Sequence, residues 1–262
     1  MANSKPTYVA SRDNALLVRL RKLARHPGDY RKLGQVLLEG EHLCQAWAAR
    51  GGAPALQAVM SESAWHEGRF LALAEAATST VIVADAAMAD IGTLDTPVPV
   101  AFVVPLPAAA PMRADAPSVV LDRVQDAGNV GAILRSAAAF GFGQVIALSG
   151  SASLWSPKVL RAAMGAHFGL DLIEGVGVEA LAGLTIPLVG TSSHAATALP
   201  DAVLPWPSAW VFGNEGAGAS AAVQARCAML VRIPQPGGEE SLNVAAAAAV
   251  CLYEAIRSRG KF

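Results

Sequence analysis

Apolar positions in the first part of the chain recur at helical spacing and then in short runs typical of strands. Residues 12–25 carry apolar side chains on one helical face and arginine or lysine on the other. The apolar set is Leu16, Leu17, Leu20, Leu23 and Ala24. Pro27 and Gly28 then predict the end of this helix. Downstream, the predicted strands cover 35–38, 56–60, 81–83 and 98–104. One predicted helix covers 41–50, and another lies between the strands at 56–60 and 81–83.

The second half of the chain alternates strands and helices more regularly. The predicted strands cover 118–121, 144–148, 186–190, 209–212 and 229–233, and the predicted helices cover 129–140, 156–164 and 241–257. This alternation predicts an α/β fold with a mostly parallel sheet and helices on both faces. Ligands in such folds bind beyond the carboxyl ends of the strands.

A proline-rich stretch separates the two halves. Residues 105–117 contain four prolines and three consecutive alanines, a composition typical of linkers. We therefore predict a first domain over 1–107, a linker over 108–116 and a second domain over 117–262.

Composition excludes several classes of protein. Hydrophobic residues make up 53% of the 262 residues, which is too many for a disordered chain. Cys44, Cys227 and Cys251 lie far apart and form no C-x-x-C pair, so we expect neither a disulfide framework nor a metal site. No stretch is apolar enough for a membrane span, and residues 1–10 lack a signal-peptide core. We expect a cytoplasmic protein with no membrane partner.

Charge is distributed unevenly, although the net charge is only −1. Residues 1–35 carry eight basic and two acidic side chains, a net charge of +6, whereas residues 36–105 carry two basic and eight acidic ones, a net charge of −6. The basic segment fits an electrostatic footprint for a polyanion such as nucleic acid. It fits the solvated face of an amphipathic helix equally well, and charge alone does not choose between them.

A polar turn and a helix follow the predicted strand at 118–121. Asn129 is a candidate N-cap of that helix, and Gly131 allows close backbone approach in its first turn. Arg135 stands among apolar helix residues, so it needs an anionic partner or a wet cleft. A structural ion pair with Asp122 or Asp126 would also explain it.

A glycine-rich loop follows the strand at 209–212. Its three glycines have the spacing G-x-x-G-x-G, which fits neither the dinucleotide fingerprint nor a P-loop. Glu215 lies inside this loop. An ordinary tight connection would explain the glycines as well.

A proline- and glycine-containing loop leads from the strand at 229–233 into the helix at 241–257. Ser241 is the candidate N-cap of this helix, which carries the alanine run 245–249. A capped core helix explains most of the segment. Asn243, a polar residue one step inside the predicted helix, is the residue that such a helix explains least well.

Together the three segments resemble the SpoU (TrmH-like) branch of the SPOUT RNA methyltransferases. The family's motifs are D-x-x-x-D-x-x-N-x-G-x-x-x-R, G-N-E-G and I-P-x-x-G-x-x-x-S-L-N-V. They are matched by Asp122, Asp126, Asn129, Gly131 and Arg135, by residues 213–216, and by Ile233, Pro234, Gly237 and residues 241–244. The stretch 156–168 also resembles the family's segment between the first two motifs, and residues 30–105 resemble its L30e-like RNA-binding domain.

The resemblance implies a fold, a reaction and an assembly. The second domain would contain a trefoil knot, and the first would be an L30e-like α/β domain that binds RNA. The chain would transfer a methyl group from S-adenosyl-L-methionine to a ribose 2′-hydroxyl of RNA, with 23S-type ribosomal RNA favoured by the L30e-like domain. Family members act as homodimers with the active site between subunits.

The resemblance also implies which residues form the site. The expected catalytic residues are Arg135, Asn129, Glu215, Ser241 and Asn243. The expected cofactor-binding residues are Thr191, Gly213, Asn214, Gly216, Ile233, Pro234, Ser241, Leu242 and Asn243. Two positions depart from the family, because Ala127 stands where the family often has proline and Gln235 where it often has methionine.

Three other functions compete with this one. A tRNA 2′-O-methyltransferase would use the same motifs. A nicotinamide-dependent oxidoreductase would need a G-x-G-x-x-G turn after the first strand of a βαβ unit, which the chain lacks. A non-catalytic RNA-binding protein is disfavoured by the intact set of polar motif residues.

Overall fold

The computed structural model describes residues 5–50, 53–92, 96–237 and 242–260, which form two compact units. The first unit contains the described residues up to Ala108 together with Trp155–Phe168, and the second contains Ala109–Leu154 and the described residues from Gly169 onward. Within these residues, no helix has both the length and the apolar composition to cross a bilayer.

The first unit is a mixed sheet with short helices. Its strands are β1 (Thr7–Val9), β2 (Gln35–Glu39), β3 (Gln57–Ser61), β4 (Thr80–Val83) and β5 (Val100–Pro105). Its helices are α1 (Ala15–Arg25), α2 (Asp29–Leu33), α3 (Glu41–Ala49), α4 (Glu62–His66), α5 (Leu71–Glu75), α6 (Asp85–Ala89) and α8 (Pro157–Ala163). The described strands follow the order β1-β4-β3-β5-β2, and β5 runs antiparallel to both of its neighbours.

Helix α1 buries the apolar face predicted from the sequence, but its arginines are engaged within the unit. The Asn14 side chain accepts the Leu16 N–H at 2.9 Å and caps the helix. Arg21 and Arg25 bond the Asp90 carboxylate at 2.6 and 3.2 Å. These hydrogen bonds, that of Arg21 foremost, hold the pKa of Asp90 below its ordinary value. Part of the basic surface is therefore neutralised by the protein itself.

A third arginine of α1 is bound by a neutral side chain. Arg19 donates from Nη2 to the Gln57 side-chain oxygen at 3.0 Å. The contacts of α1 thus agree with the interpretation of this segment as a structural amphipathic helix for Arg19, Arg21 and Arg25. Lys22 is exposed and stays available to a polyanion.

Helix α8 departs from the predicted domain division, which assigned it to the second domain. It packs on α1 and β2, and it buries Val159 and Leu160. Arg161 donates to the buried Glu39 carboxylate at 2.9 Å. Burial raises the pKa of Glu39, and the charge of Arg161 partly offsets that effect. The apolar contacts and the ion pair explain why a segment distant in sequence belongs to the first unit.

The second unit is a parallel sheet flanked by helices. Its strands are β6 (Ser118–Asp122), β7 (Gln144–Leu148), β8 (Asp171–Val176), β9 (Leu188–Thr191), β10 (Thr197–Ala198), β11 (Ala209–Gly213) and β12 (Met229–Arg232). Its α-helices are α7 (Ala127–Ala139), α9 (Ala221–Gln224) and α10 (Val244–Arg257), and it has 3₁₀ turns at Val178–Gly183 and Leu199–Asp201. A further 3₁₀ turn, Ala166–Gly169, begins in the first unit, and its last residue belongs to the second. Among the described strands the order is β10-β12-β9-β11-β6-β7-β8, and every pair is parallel.

The proline-rich stretch is packed against the second unit over part of its length. The Arg113 backbone N–H donates to the Gln144 side chain at 2.7 Å, and the Gln144 amide returns a bond to the Arg113 carbonyl at 3.1 Å. The Thr185 N–H donates to the Ala114 carbonyl at 2.8 Å. Residues 113 and 114, predicted as linker, are thus held by specific hydrogen bonds, because the fully buried Gln144 needs these partners.

Short elements were missed by the sequence pattern. The additional elements are β1, α2, α6, β8, β10 and α9, most of them five residues or fewer. Segments this short offer too few positions to establish a period of two or of 3.6.

Candidate active site

An open cleft of about 550 Å³ lies at the carboxyl ends of neighbouring parallel strands in the second unit. Its walls include residues 191–195 after β9, residues 213–219 after β11, and residues of the 230–235 segment at the end of β12. Leu242, Val244 and Ala247 add the start of α10. The strand ends meet here because the strands are adjacent and run in the same direction.

The loop after β11 is a tight turn that a glycine makes possible. Asn214 and Gly218 exchange backbone hydrogen bonds of 3.1 and 2.8 Å. The Asn214 side-chain oxygen accepts the Gly216 and Ala217 N–H groups at 3.1 and 3.0 Å. A Cβ at Gly213 would overlap the backbone of the returning turn, so the close approach requires glycine there.

The end of β6 anchors this loop. The buried Asp122 carboxylate accepts the Ser220 N–H at 2.5 Å and the Arg123 Nε–H at 3.2 Å. Arg123 adopts a left-handed backbone with φ of 59°. Its N–H donates to Ser151 Oγ at 3.0 Å, and its carbonyl accepts the Asn214 Nδ2 at 3.2 Å, so the surroundings fix this conformation.

Asn129 is not the cap of α7, contrary to the sequence prediction. Asp126 takes that role, because its carboxylate accepts the Asn129 backbone N–H at 2.8 Å and the helix begins at Ala127. Asp126 is the better N-cap here because it stands three residues before the N–H it accepts. The Asn129 side chain is thereby free for other contacts.

Asn129 bridges the other two motif segments. Its Nδ2 donates to Glu215 Oε1 at 3.0 Å, and its Oδ1 accepts the Asn243 Nδ2 at 2.9 Å. One polar chain therefore runs from the loop after β11 through α7 to the start of α10. We call Glu215, Asn129 and Asn243 the polar bridge.

Asn243 is the N-cap of α10, which accounts for a polar residue at this position. Its Oδ1 accepts the Ala245 and Ala246 N–H groups at 2.9 and 3.2 Å, and the helix begins at Val244. The prediction of a helix start at residue 241 is wrong by three residues. Ser241, predicted as a catalytic and cofactor-binding residue, lies outside the described residues.

The polar bridge favours the charged form of Glu215. Burial raises the pKa of this carboxyl group, but hydrogen bonds from the Asn129 side chain and from nearby backbone N–H groups outweigh burial and lower the pKa. Glu215 therefore has the character of a fixed carboxylate that holds hydrogen-bond donors, rather than that of a proton donor at neutral pH.

Arg135 stands apart from the polar bridge. It is exposed on α7, and within the described part of the chain it makes no hydrogen bond or ion pair. Asp122 and Asp126, its two candidate partners, are engaged by Arg123, Ser220 and the cap of α7. The described side-chain hydrogen bonds of Asn129, Glu215 and Asn243 go to one another, to Asn214 and to backbone groups, and none of them goes to Arg135.

The sequence of the second unit matches a known family over the segments that form the cleft. The profile of the SpoU rRNA Methylase family matches residues 116–253, more than half of the chain. The chain belongs to the SpoU rRNA methylase family.

Individual relatives of this family extend the match. The chain is 36% identical over 178 residues to 23S rRNA (uridine(2479)-2'-O)-methyltransferase of Streptomyces viridochromogenes, covering 63% of this chain and 62% of that relative's own length. It is 30% identical over 226 residues to 23S rRNA (guanosine(2553)-2'-O)-methyltransferase RlmP of Bacillus subtilis, covering 85% and 88%.

A solved structure is similar along both units. The SpoU methyltransferase AviRb from Streptomyces viridochromogenes, determined in complex with the cofactor AdoMet, has a TM-score of 0.81 and 30% identity. The similarity covers 95% of this chain and 99% of that one.

Most described residues expected to bind the cofactor in this SpoU family member line the cleft. They are Thr191, Gly213, Asn214, Gly216, Ile233 and Leu242. Pro234 and Asn243 are not among the lining residues, and the Asn243 side chain caps α10. Of the described residues that were expected to be catalytic, only Glu215 lines the cleft. Asn129 is hydrogen-bonded to Glu215, and Asn243 is hydrogen-bonded to Asn129. Arg135 does not line the cleft. The roles of all these residues remain predictions.

Several lining residues were missed from the sequence. They are Ser193, His194, Ala195, residues 217–219, Gln224, Leu230, Val231, Val244 and Ala247. The polar residues 191–194, which follow β9, could have indicated Ser193 and His194. Arg232 bonds the carbonyls of Ala195 and Ala196, and it thereby joins the loop after β9 to the end of β12.

Proposed function

We propose that this chain transfers a methyl group from S-adenosyl-L-methionine to a ribose 2′-hydroxyl of 23S-type ribosomal RNA. The observation that carries the proposal is the polar bridge, which joins the three family motifs beside one cleft. Both relatives named above are 23S rRNA 2′-O-methyltransferases, and RlmP matches along 85% of the chain. This broad match favours ribosomal RNA over tRNA.

The cleft suits S-adenosyl-L-methionine in its size and in its mixture of groups. The turn at 213–218 offers accessible backbone groups for polar parts of the cofactor, and Ile233, Leu242 and Val244 offer an apolar wall. When bound, S-adenosyl-L-methionine supplies a methyl group on a positively charged sulfur, whose departure as a neutral thioether needs no acid.

The protein's task in this reaction is to position and polarise the ribose hydroxyl. We assign Arg135 to that task. A guanidinium with a pKa above about 12 is a poor base. It is a good clamp for an RNA phosphate and a good stabiliser of developing negative charge on the 2′-oxygen. The proton then passes to phosphate or water. The polar bridge holds the loop after β11 and the start of α10 in fixed positions relative to α7.

A homodimer would complete the site. Arg135 is exposed and does not line the cleft of its own chain. Helix α10, which packs on α7, exposes Val250 and Tyr253, apolar side chains of the kind found at subunit interfaces. We propose that α7 of one subunit presents Arg135 to the cleft of its partner.

The first unit would select the RNA. We propose that it is an L30e-like domain that reads RNA shape and 2′-hydroxyls, with Lys22 among its contacts. The enzyme would act in the cytoplasm on ribosomal RNA. The trefoil knot in the second unit remains a prediction of the family resemblance.

Methyl transfer from labelled S-adenosyl-L-methionine to total cellular RNA tests the function. We expect label in 23S rRNA and, after digestion, in a 2′-O-methyl nucleoside. Label confined to tRNA would support the tRNA alternative, and label on a base would exclude ribose methylation. Protein that retains RNA but transfers no methyl group would indicate a non-catalytic binding protein, and a melting temperature raised by NADH alone would indicate an oxidoreductase.

A further inference from the structure

Gln235 is a cleft residue whose amide makes no hydrogen bond within the described part of the chain. It follows β12, lines the cleft and is half-buried. Its Oε1 is shielded from solvent and has no hydrogen-bond partner among the described residues. A shielded polar atom without a partner is uncommon in folded proteins and calls for a specific explanation.

The other glutamine of the cleft makes the contrast clear. Gln224 also lines the cleft, but its Nε2 donates to the Ala219 carbonyl at 2.7 Å and so holds the loop after β11. The Gln235 amide serves no such purpose. Both its donor and its acceptor remain for a bound molecule, whichever way the amide is turned.

The surroundings of Gln235 indicate which part of a ligand it meets. The neighbouring wall is apolar, formed by Ile233 in the same loop and by Leu242, Val244 and Ala247 at the start of α10. Such a wall suits a flat aromatic ring. An amide beside the ring can pair its acceptor and donor with the amino group and an adjacent ring nitrogen of adenine, as glutamine does with adenine in DNA.

We propose that Gln235 binds the edge of the adenine ring of S-adenosyl-L-methionine and determines the base selectivity of this cleft. The inference rests on the proposed function. A methionine at this position could not replace the amide, since a thioether is only a weak acceptor and donates no hydrogen bond. Gln235 is therefore a specificity residue of this cleft.

The test compares wild type and Gln235→Met with two ligands. The ligands are S-adenosylhomocysteine and its analogue with the 6-amino group replaced by hydrogen, and affinities are measured by calorimetry. In wild type, loss of the amino group should weaken binding by about fivefold to tenfold, the value of one hydrogen bond. In Gln235→Met this ratio should fall by about fivefold, while affinity for S-adenosylhomocysteine itself decreases.

Controls separate this inference from the proposed function. Gln45→Met changes an exposed glutamine of the first unit and should keep the wild-type ratio. Should Gln235→Met fail to fold by circular dichroism, Gln235→Leu replaces it. An unchanged ratio in a folded variant would overturn the role of Gln235 alone. Wild type that binds neither ligand would contradict the proposed function together with the inference.

Discussion

The arginines of α1 and the single arginine of α7 have opposite surroundings. Arg21 and Arg25 share the Asp90 carboxylate, and Arg19 bonds Gln57. Arg135 is exposed and makes no bond within the described residues, although acidic side chains precede it by nine and thirteen positions in sequence. The segment with the larger positive charge thus has fewer available cations than its composition predicts.

A cation is available to a ligand only if the fold offers it no better partner. Asp90 is far from α1 in sequence, so the neutralisation of α1 depends on the packing of the first unit. Near α7 the opposite holds, because Asp122 and Asp126 are close in sequence but are used by a backbone N–H group and a helix cap. Local charge counts therefore misjudge both helices.

Removal of Arg135 should have the largest effect. We expect Arg135→Ala to lower the rate of methyl transfer by about 10²–10³-fold, because a group that stabilises developing negative charge is lost. Cofactor affinity and melting temperature should be unchanged, since the side chain is exposed. Single-turnover assays and calorimetry measure these quantities.

The matched control is Arg226→Ala, which removes another exposed arginine of the second unit whose described bond is to a backbone carbonyl of its own turn. It should retain the wild-type rate. Wild-type methylation by Arg135→Ala would contradict the assigned role.

Breaking the polar bridge should have an intermediate effect. We expect Asn129→Ala to lower the rate about tenfold, because Glu215 and Asn243 lose the side chain that joins them. Asn129→Asp should be more damaging than Asn129→Ala, because two carboxylates would then face each other. Equal rates in the two variants would argue against a direct Glu215 contact.

Lys22 and Arg21 on α1 should separate binding from stability. We expect Lys22→Ala to weaken RNA binding about threefold and to reduce the salt dependence of the affinity by about one charge. Arg21→Ala should lower the melting temperature instead, because Asp90 loses its strongest partner. Filter binding at several salt concentrations and thermal unfolding give the two results. A larger loss of RNA affinity in Arg21→Ala than in Lys22→Ala would contradict the assignment of Lys22 to RNA binding and of Arg21 to stability.

Glu215 should contribute a small stability that depends on pH. Its pKa is lowered in the folded chain, so its stabilisation is present above its ordinary value of 4.5 and is lost as the pH falls through the lowered value. We expect Glu215→Gln to melt about 1–2 °C below wild type at pH 6, a small shift because this carboxylate is largely exposed. The gap should shrink as the pH is lowered below 4.5. A gap that widens in acid would contradict the lowered pKa.

The sequence alone determined the long, periodic elements and the motif positions. The apolar face of α1, strand β7 and the parallel sheet of the second unit followed from periodicity, because these segments are long enough to show their period. Gly213 was recognised as part of a motif, and the structure shows that a larger residue there would overlap the backbone of Gly218 and Ala219. The family followed from the order of three motifs and is confirmed by the match over residues 116–253.

The pairing of polar groups, in contrast, depends on the tertiary fold. Asp126 rather than Asn129 caps α7, and Asn243 rather than Ser241 caps α10. Helix α8 belongs with the first unit. A hydrogen bond requires a donor–acceptor distance of about 3 Å with a tolerance of a few tenths of an ångström, and its two atoms are often far apart in sequence. A pattern of residue types carries no such distances, so the polar bridge and the unpartnered amide of Gln235 emerge only when the strands are brought side by side.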